Sequence, residues 1–176
     1  ETGSKNMKLC PFCKTPPAKS DEEEFERTKK LMKTGNAYAF YMLGGYYRNG
    51  TYGLPRDGAK ANELYLKAGE LGCAVAYYNL GNSYLEGKGV DINTKKATHY
   101  YELAAMNGDV MARNNLGCLE GQAGNHQRAF KHYIISASAG DKMSLDAVKY
   151  GYTEGHVVKE EYANTLREYQ KSQDEM

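Results

Sequence analysis

Small and apolar residues return along this chain at two spacings at once. Within a stretch they stand four apart, as in Ala39, Leu43 and Tyr47, in Ala76, Leu80 and Tyr84, and in Ser144, Val148 and Tyr152, the spacing of one face of an α-helix. Between stretches, Gly35, Gly72, Gly108 and Gly140 mark intervals of 37, 36 and 32 residues. A second apolar pattern fills the other half of each interval, opening on Lys60-Ala61, Lys96-Ala97, Arg128-Ala129 and Tyr162-Ala163. Each interval therefore holds two helices, predicted near 36–49 and 57–71, 73–86 and 93–107, 109–122 and 125–139, and 141–153 and 159–173. Ahead of them, Ser20 stands three residues before Glu23, and DEEEFERTKKLMK sets acids in the first turn and bases in the last. That arrangement suits a cap and the helix dipole and predicts a leading helix over 21–34.

The glycines inside the predicted helices carry the next step. Gly44, Gly81 and Gly117 directly follow Leu43, Leu80 and Leu116. A mid-helix glycine costs about 1 kcal/mol against alanine, so its return at one register predicts a close approach by a neighbouring helix. The combined pattern, AxAxxxLGxxYxxGxGV followed by KAxxYYxxAAxxG and fullest over residues 73–109, resembles the Sel1-like repeat, a relative of the tetratricopeptide repeat built from two antiparallel helices. The resemblance implies an all-α fold, an α-solenoid of about four repeats at 36–72, 73–109, 110–141 and 142–176, the last degenerate as capping units are. A helix at 20–34 and an irregular segment at 1–19 precede the array. Repeat one carries a lengthened connection, RNGTYGLPRDG, and repeat three the short QAGNH turn. The resemblance also implies a partner-binding surface, lined by the first helices on the concave side, without naming the partner.

Composition narrows the partner. The 176 residues include 23 basic and 22 acidic side chains, interspersed, for a net charge of +1. A nucleic-acid binder carries a basic stripe, and none is present. No run approaches the roughly 20 apolar residues that cross a bilayer, so the expected partner is a protein or peptide, with neither nucleic acid nor membrane. Four cysteines in a helical array favour a reducing, cytoplasmic setting, and the sequon Asn49-Gly50-Thr51 reads as an ordinary loop.

Chemistry is sought in vain. His99, His126, His132 and His156 show no ligand spacing, and Gly87-Lys88-Gly89 lacks the following Ser or Thr and the strand of a phosphate loop. The expectation is a non-catalytic protein without a cofactor. One motif stands apart. Cys10 and Cys13, in CPFCKTPP, resemble the last ligand pair of a RING finger, but a structural zinc needs four ligands and only these two are at hand. The chain opens on ETG, which reads as an expression scar, and the expectation is that it begins inside a RING whose other ligands lie upstream, where zinc would bind in the full-length protein. The alternatives are a tail in which CxxC has no role and, more weakly, a redox pair, which belongs beside a βαβ pattern.

Helical geometry points to a surface. With the reference Leu at zero and 100° per residue, positions −5, −2, −1, +2 and +6 of each first helix point away from the neighbours. Tyr38, Tyr41, Met42, Tyr78, Asn79, Asn82, Asn114, Asn115, Asp146 and Tyr150 fall in this set. Solvated faces favour Lys, Glu and Arg, whereas binding surfaces favour aromatics and Met. The stripe is therefore read as a peptide-binding groove, in which Asn79 and Asn115, at one register, would hold an extended backbone through their amides. The competing reading is that the tyrosines pack on one another. The leading function is an interaction scaffold; the alternative is the substrate-recruiting region of a RING-type ubiquitin ligase.

Overall fold

The computed structural model describes residues 20–175, and among them the backbone forms nine α-helices and no strand. A leading helix α1 (Asp21–Lys33) is followed by four hairpins: α2 (Ala37–Asn49) with α3 (Gly58–Glu70), α4 (Ala74–Glu86) with α5 (Thr94–Met106), α6 (Val110–Gln122) with α7 (His126–Ser138), and α8 (Lys142–Thr153) with α9 (Lys159–Asp174). Most of the repeat helices start one residue later than the pattern suggests. The reason is capping: Asn36, Asp57, Asn93, Asp109 and Asp141 take non-helical backbone, and their side-chain oxygens accept from the N–H three residues on, at 2.8–3.0 Å. Each cap satisfies an N–H the helix cannot.

The core is divided into clusters strung along the array. Ala61, Tyr65 and Ala68 of α3 pack on Ala76 and Leu80 of α4. Ala97, Tyr101, Ala104 and Ala105 of α5 pack on Ala112 and Leu116 of α6, and Phe130 and Ala137 of α7 pack on Val148. The alanines let the backbones close, and the tyrosines fill what remains.

Glycines provide the seats. A Cβ on Gly44, Gly81 or Gly117 would stand 2.6–2.7 Å from ring carbons of Tyr65, Tyr101 or Tyr133, the tyrosine of the second helix in the same hairpin. The close approach read from the glycine register is thus an aromatic ring seated against a bare stretch of helix. In the fourth hairpin the seat moves to Gly151 and takes Phe130 from the preceding unit.

The connections inside the hairpins, residues 50–57, 87–93, 123–125 and 154–158, differ in length. The first three nevertheless close alike, with the N–H of Asp57, Asn93 or Asn125 donating to the carbonyl of Tyr47, Tyr84 or Glu120 at 2.8 Å.

Candidate protein-binding face

The seated tyrosines reach through to the face on which the first helices were expected to bind. Tyr101 donates its hydroxyl to Asn82 Oδ1 at 2.6 Å, and Tyr133 donates to Cys118 Sγ at 3.4 Å. The Tyr65 hydroxyl lies beside Gly45, 4.0 Å from where a Cβ would be. Gly45, Asn82 and Cys118 share one register, so the three hydroxyls end at one level beneath the face, with Tyr65 and Tyr101 buried. Burial pushes Tyr101 up to about 12 and raises Tyr65 and Tyr133 as well. All three remain protonated donors near neutral pH.

The asparagines tie neighbouring units together. Arg48 of α2 donates to Asn79 Oδ1 at 2.9 Å, and the Asn79 amide donates to the Val75 carbonyl at 3.0 Å. Asn115 of α6 reaches Asn82 of α4 at 3.5 Å. Tyr41 lies 5.6 Å from Tyr38 and 6.0 Å from Tyr65, centroid to centroid, and Tyr78 lies 6.0 Å from Tyr101. Tyr38, Tyr41, Met42, Tyr78, Asn79, Asn82 and Asn115 are half-buried, whereas Asp146 and Tyr150 are exposed. The floor of the face is therefore a partly covered Tyr/Asn lattice.

One expected residue does not belong to it. Asn114 is only 7% exposed, and its amide donates to Ser144 Oγ at 2.7 Å and Asp141 Oδ2 at 3.2 Å. Its outward orientation is corrected: the side chain is turned into the junction with the next unit, where Ser136 also donates to the Val110 carbonyl at 3.0 Å. Cys10 and Cys13 lie outside the described residues. Arg48, Tyr65, Tyr101 and Tyr133 were not singled out from sequence, although each tyrosine stands four residues after the Ala61, Ala97 or Ala129 that opens the second pattern of its unit.

Among the described residues no group of three or more His, Cys, Asp or Glu side chains is placed to hold a metal ion. No helix there is long and apolar enough to cross a membrane.

Stacked hairpins, interlocked by rings on glycines, define a helical-repeat solenoid. The model of the Sel1 repeat matches residues 37–73, 74–109 and 110–141, and the chain belongs to the Sel1 repeat family. It is 37% identical over 100 residues to the ERAD-associated E3 ubiquitin-protein ligase component HRD3B of Arabidopsis thaliana, covering 56% of this chain and 15% of that protein. An uncharacterized protein of Neisseria meningitidis serogroup B is 34% identical over 91 residues, covering 52% of this chain and 19% of the relative. The chain thus spans less than a fifth of the length of these relatives. Among solved structures, a Sel1 repeat protein from Oxalobacter formigenes superposes with a TM-score of 0.74 at 23% identity, over 88% of this chain and 66% of that one. A protective antigen of uropathogenic Escherichia coli with an SLR fold gives 0.71 at 24% identity, over 86% and 34%. Both likenesses are of fold.

Proposed function

We propose that this chain is a non-catalytic interaction scaffold that takes up a peptide or protein segment along the face of α2, α4, α6 and α8. Sel1 repeat proteins are protein-interaction scaffolds. The observation that carries the reading here is the half-buried lattice of aromatic rings and amides that lies over the seated tyrosines. Such a surface offers apolar contact with polar tips and both donors and acceptors to a backbone. Tyr38, Tyr41, Met42 and Tyr78 supply the aromatic and apolar end, Asn79, Asn82 and Asn115 the amides, and Asp146 and Tyr150 the exposed far end. Asn114 supports the face from beneath. The test is cross-linking mass spectrometry on natural partners captured from a lysate, with photoreactive groups at Met42 and Tyr150. Cross-links from both positions to one partner segment support the reading, and partners cross-linked from neither remove it.

A second reading is favoured by the likeness to HRD3B, a ubiquitin-ligase component by name. On this reading the repeats recruit a substrate or partner within a ligase assembly, and Cys10 and Cys13 close a zinc site begun upstream. The gene decides it. Further Cys and His pairs at zinc spacing ahead of Cys10 support a RING, and their absence removes it.

A further inference from the structure

The guanidinium groups of this chain meet different fates. Arg27 and Arg128 lie on the carboxylates of Glu23 and Glu120, at 2.6 and 3.2 Å. Arg48, in the last turn of α2, has no carboxylate within ion-pair distance among the described residues. It is half-buried and is held by neutral groups. It donates to Asn79 Oδ1 of the next unit at 2.9 Å. Burial raises the Tyr65 hydroxyl, and Arg48, close by, opposes that rise. A guanidinium carries more N–H donors than these neighbours fill, and a partly desolvated cation among neutral dipoles still favours an anion.

The amides around Arg48 are already oriented. Asn79 donates to the Val75 carbonyl at 3.0 Å, which turns its oxygen to Arg48. Asn82, one turn further along α4, receives Tyr101 at 2.6 Å and Asn115 at 3.5 Å on its own oxygen. Both side-chain oxygens are therefore taken. What this corner of the face has left to offer is N–H, from the rest of the Arg48 guanidinium and from the Asn82 amide. Competing acids stand apart: Glu86 is exposed and paired with Lys88, and Asp146 and Glu154 lie at the far end, on α8 and just past it.

We infer that Arg48 anchors the proposed face, and that the segment bound there is an extended stretch of another protein with one Asp or Glu side chain set over Arg48 and the Asn82 amide. The inference rests on the interaction face described above and gives that face its partner chemistry. Charge selects a carboxylate over a phosphate. The outward positions of α2, α4, α6 and α8 hold no Lys or Arg, so the single Arg48 charge balances one carboxylate, whereas a phosphate carries about −1.5 to −2 near neutral pH. Position selects a side chain over a chain end. Half-buried groups continue on both sides of the Arg48–Asn79 contact, Tyr41 and Met42 on α2 and Asn82 and Asn115 on α4 and α6, so a bound segment runs on in both directions.

The probes come from a random peptide library displayed on phage and selected on the full chain, with a photoreactive group at Met42 so that only peptides cross-linked to the face are kept. These peptides should share one Asp or Glu. Replacing it by Asn or Gln in the synthetic peptide should weaken binding to the unaltered chain about tenfold or more by fluorescence anisotropy. Arg48→Gln should weaken the original peptide alike, and the two changes together should cost little more than either alone. Added salt should weaken the original pair and spare the neutral one. Selected peptides that share no acid, or an acid whose removal costs the same with Arg48→Gln as with the native chain, overturn the pairing and leave the face standing. Tighter binding of a peptide with phosphoserine at the acidic position overturns the choice of a carboxylate. A selection that yields no peptide cross-linked at Met42 removes the face and this inference together.

Discussion

The Tyr101 hydroxyl and the Asn82 amide oxygen join the two helices of the second hairpin at 2.6 Å, although helical phase assigns Asn82 to the outward face. Tyr101 is completely buried, and a buried hydroxyl without an acceptor is expensive. Asn82→Ala should therefore destabilise the chain by about 1 kcal/mol or more, where phase alone expects almost nothing. Urea denaturation measures it. A loss below about 0.5 kcal/mol, ordinary for a surface change, would show that the hydroxyl finds its acceptor elsewhere.

Its neighbour Gly81 tests the seat. A leucine there meets the Tyr101 ring within 2.6 Å at its first carbon, and overpacking of this kind costs about 1 to 3 kcal/mol. Gly81→Leu should lower the urea midpoint clearly, and Gly45→Ala, whose Cβ meets only the Tyr65 hydroxyl at 4.0 Å, should leave it nearly unchanged. Equal losses would remove the ring-on-glycine account.

The helix positions and the glycine seats were legible because both rest on local spacing: Leu43-Gly44, Leu80-Gly81 and Leu116-Gly117 repeat in one register. The orientation of Asn114, and the half-burial of Tyr41 and Tyr78, were not. A phase count assumes one apolar arc per helix, whereas α4 and α6 each pack against the second helix of their own hairpin and of the preceding one. The covered arc widens, and position −2 falls inside it. At that register Tyr41 and Tyr78 lie against the core edges, and the shorter Asn114 side chain meets Ser144 of the following unit. No pattern within one repeat contains that partner.

Acid should weaken the third hairpin through His132. Burial first, and then the nearby Arg113, hold its imidazole below the usual 6.5, with Glu120 and Glu102 opposing and Arg128 assisting. Its Nδ1 is buried without a hydrogen-bond partner. The unfolded chain binds this proton near 6.5 and the folded chain only at lower pH, so the unfolded state holds more protons in between. The contribution of neutral His132 is present above 6.5 and is lost as the pH falls through the folded value. Urea titrations from pH 7 to pH 5 should show a steeper loss for the native chain than for His132→Gln. Parallel losses would exclude His132 as the source.

On the proposed face, Asn79→Ala with Asn115→Ala should weaken a captured partner by roughly 1 to 3 kcal/mol, and Tyr41→Ala with Tyr78→Ala by more where aromatic anchors dominate. Isothermal titration gives both numbers. Lys67→Glu with Glu102→Lys, on second helices, serves as the control. If the control abolishes binding and the face variants retain it, recognition lies on the opposite side.

Metal removal should leave the array standing. Among the described residues the hairpins pack through alanine, tyrosine and glycine contacts. The melting temperature in a zinc chelator should match that without it, and a substantial drop would tie the fold to metal.

The alanine-rich clusters join the second helix of one unit to the first helix of the next, while the rings seated on glycine join the two helices within a unit, so every helix inside the array is held from both sides. Shortening the chain at Gly72, Gly108 or Gly140 would leave Tyr65, Tyr101 or Phe130 without its downstream neighbours, and ending it among residues 87–93 or 123–125 would leave Gly81 or Gly117 without its ring. Proteolysis should accordingly find no preferred seam within the array and should nibble inward from its ends, indifferent to the boundaries by which its repeats are counted.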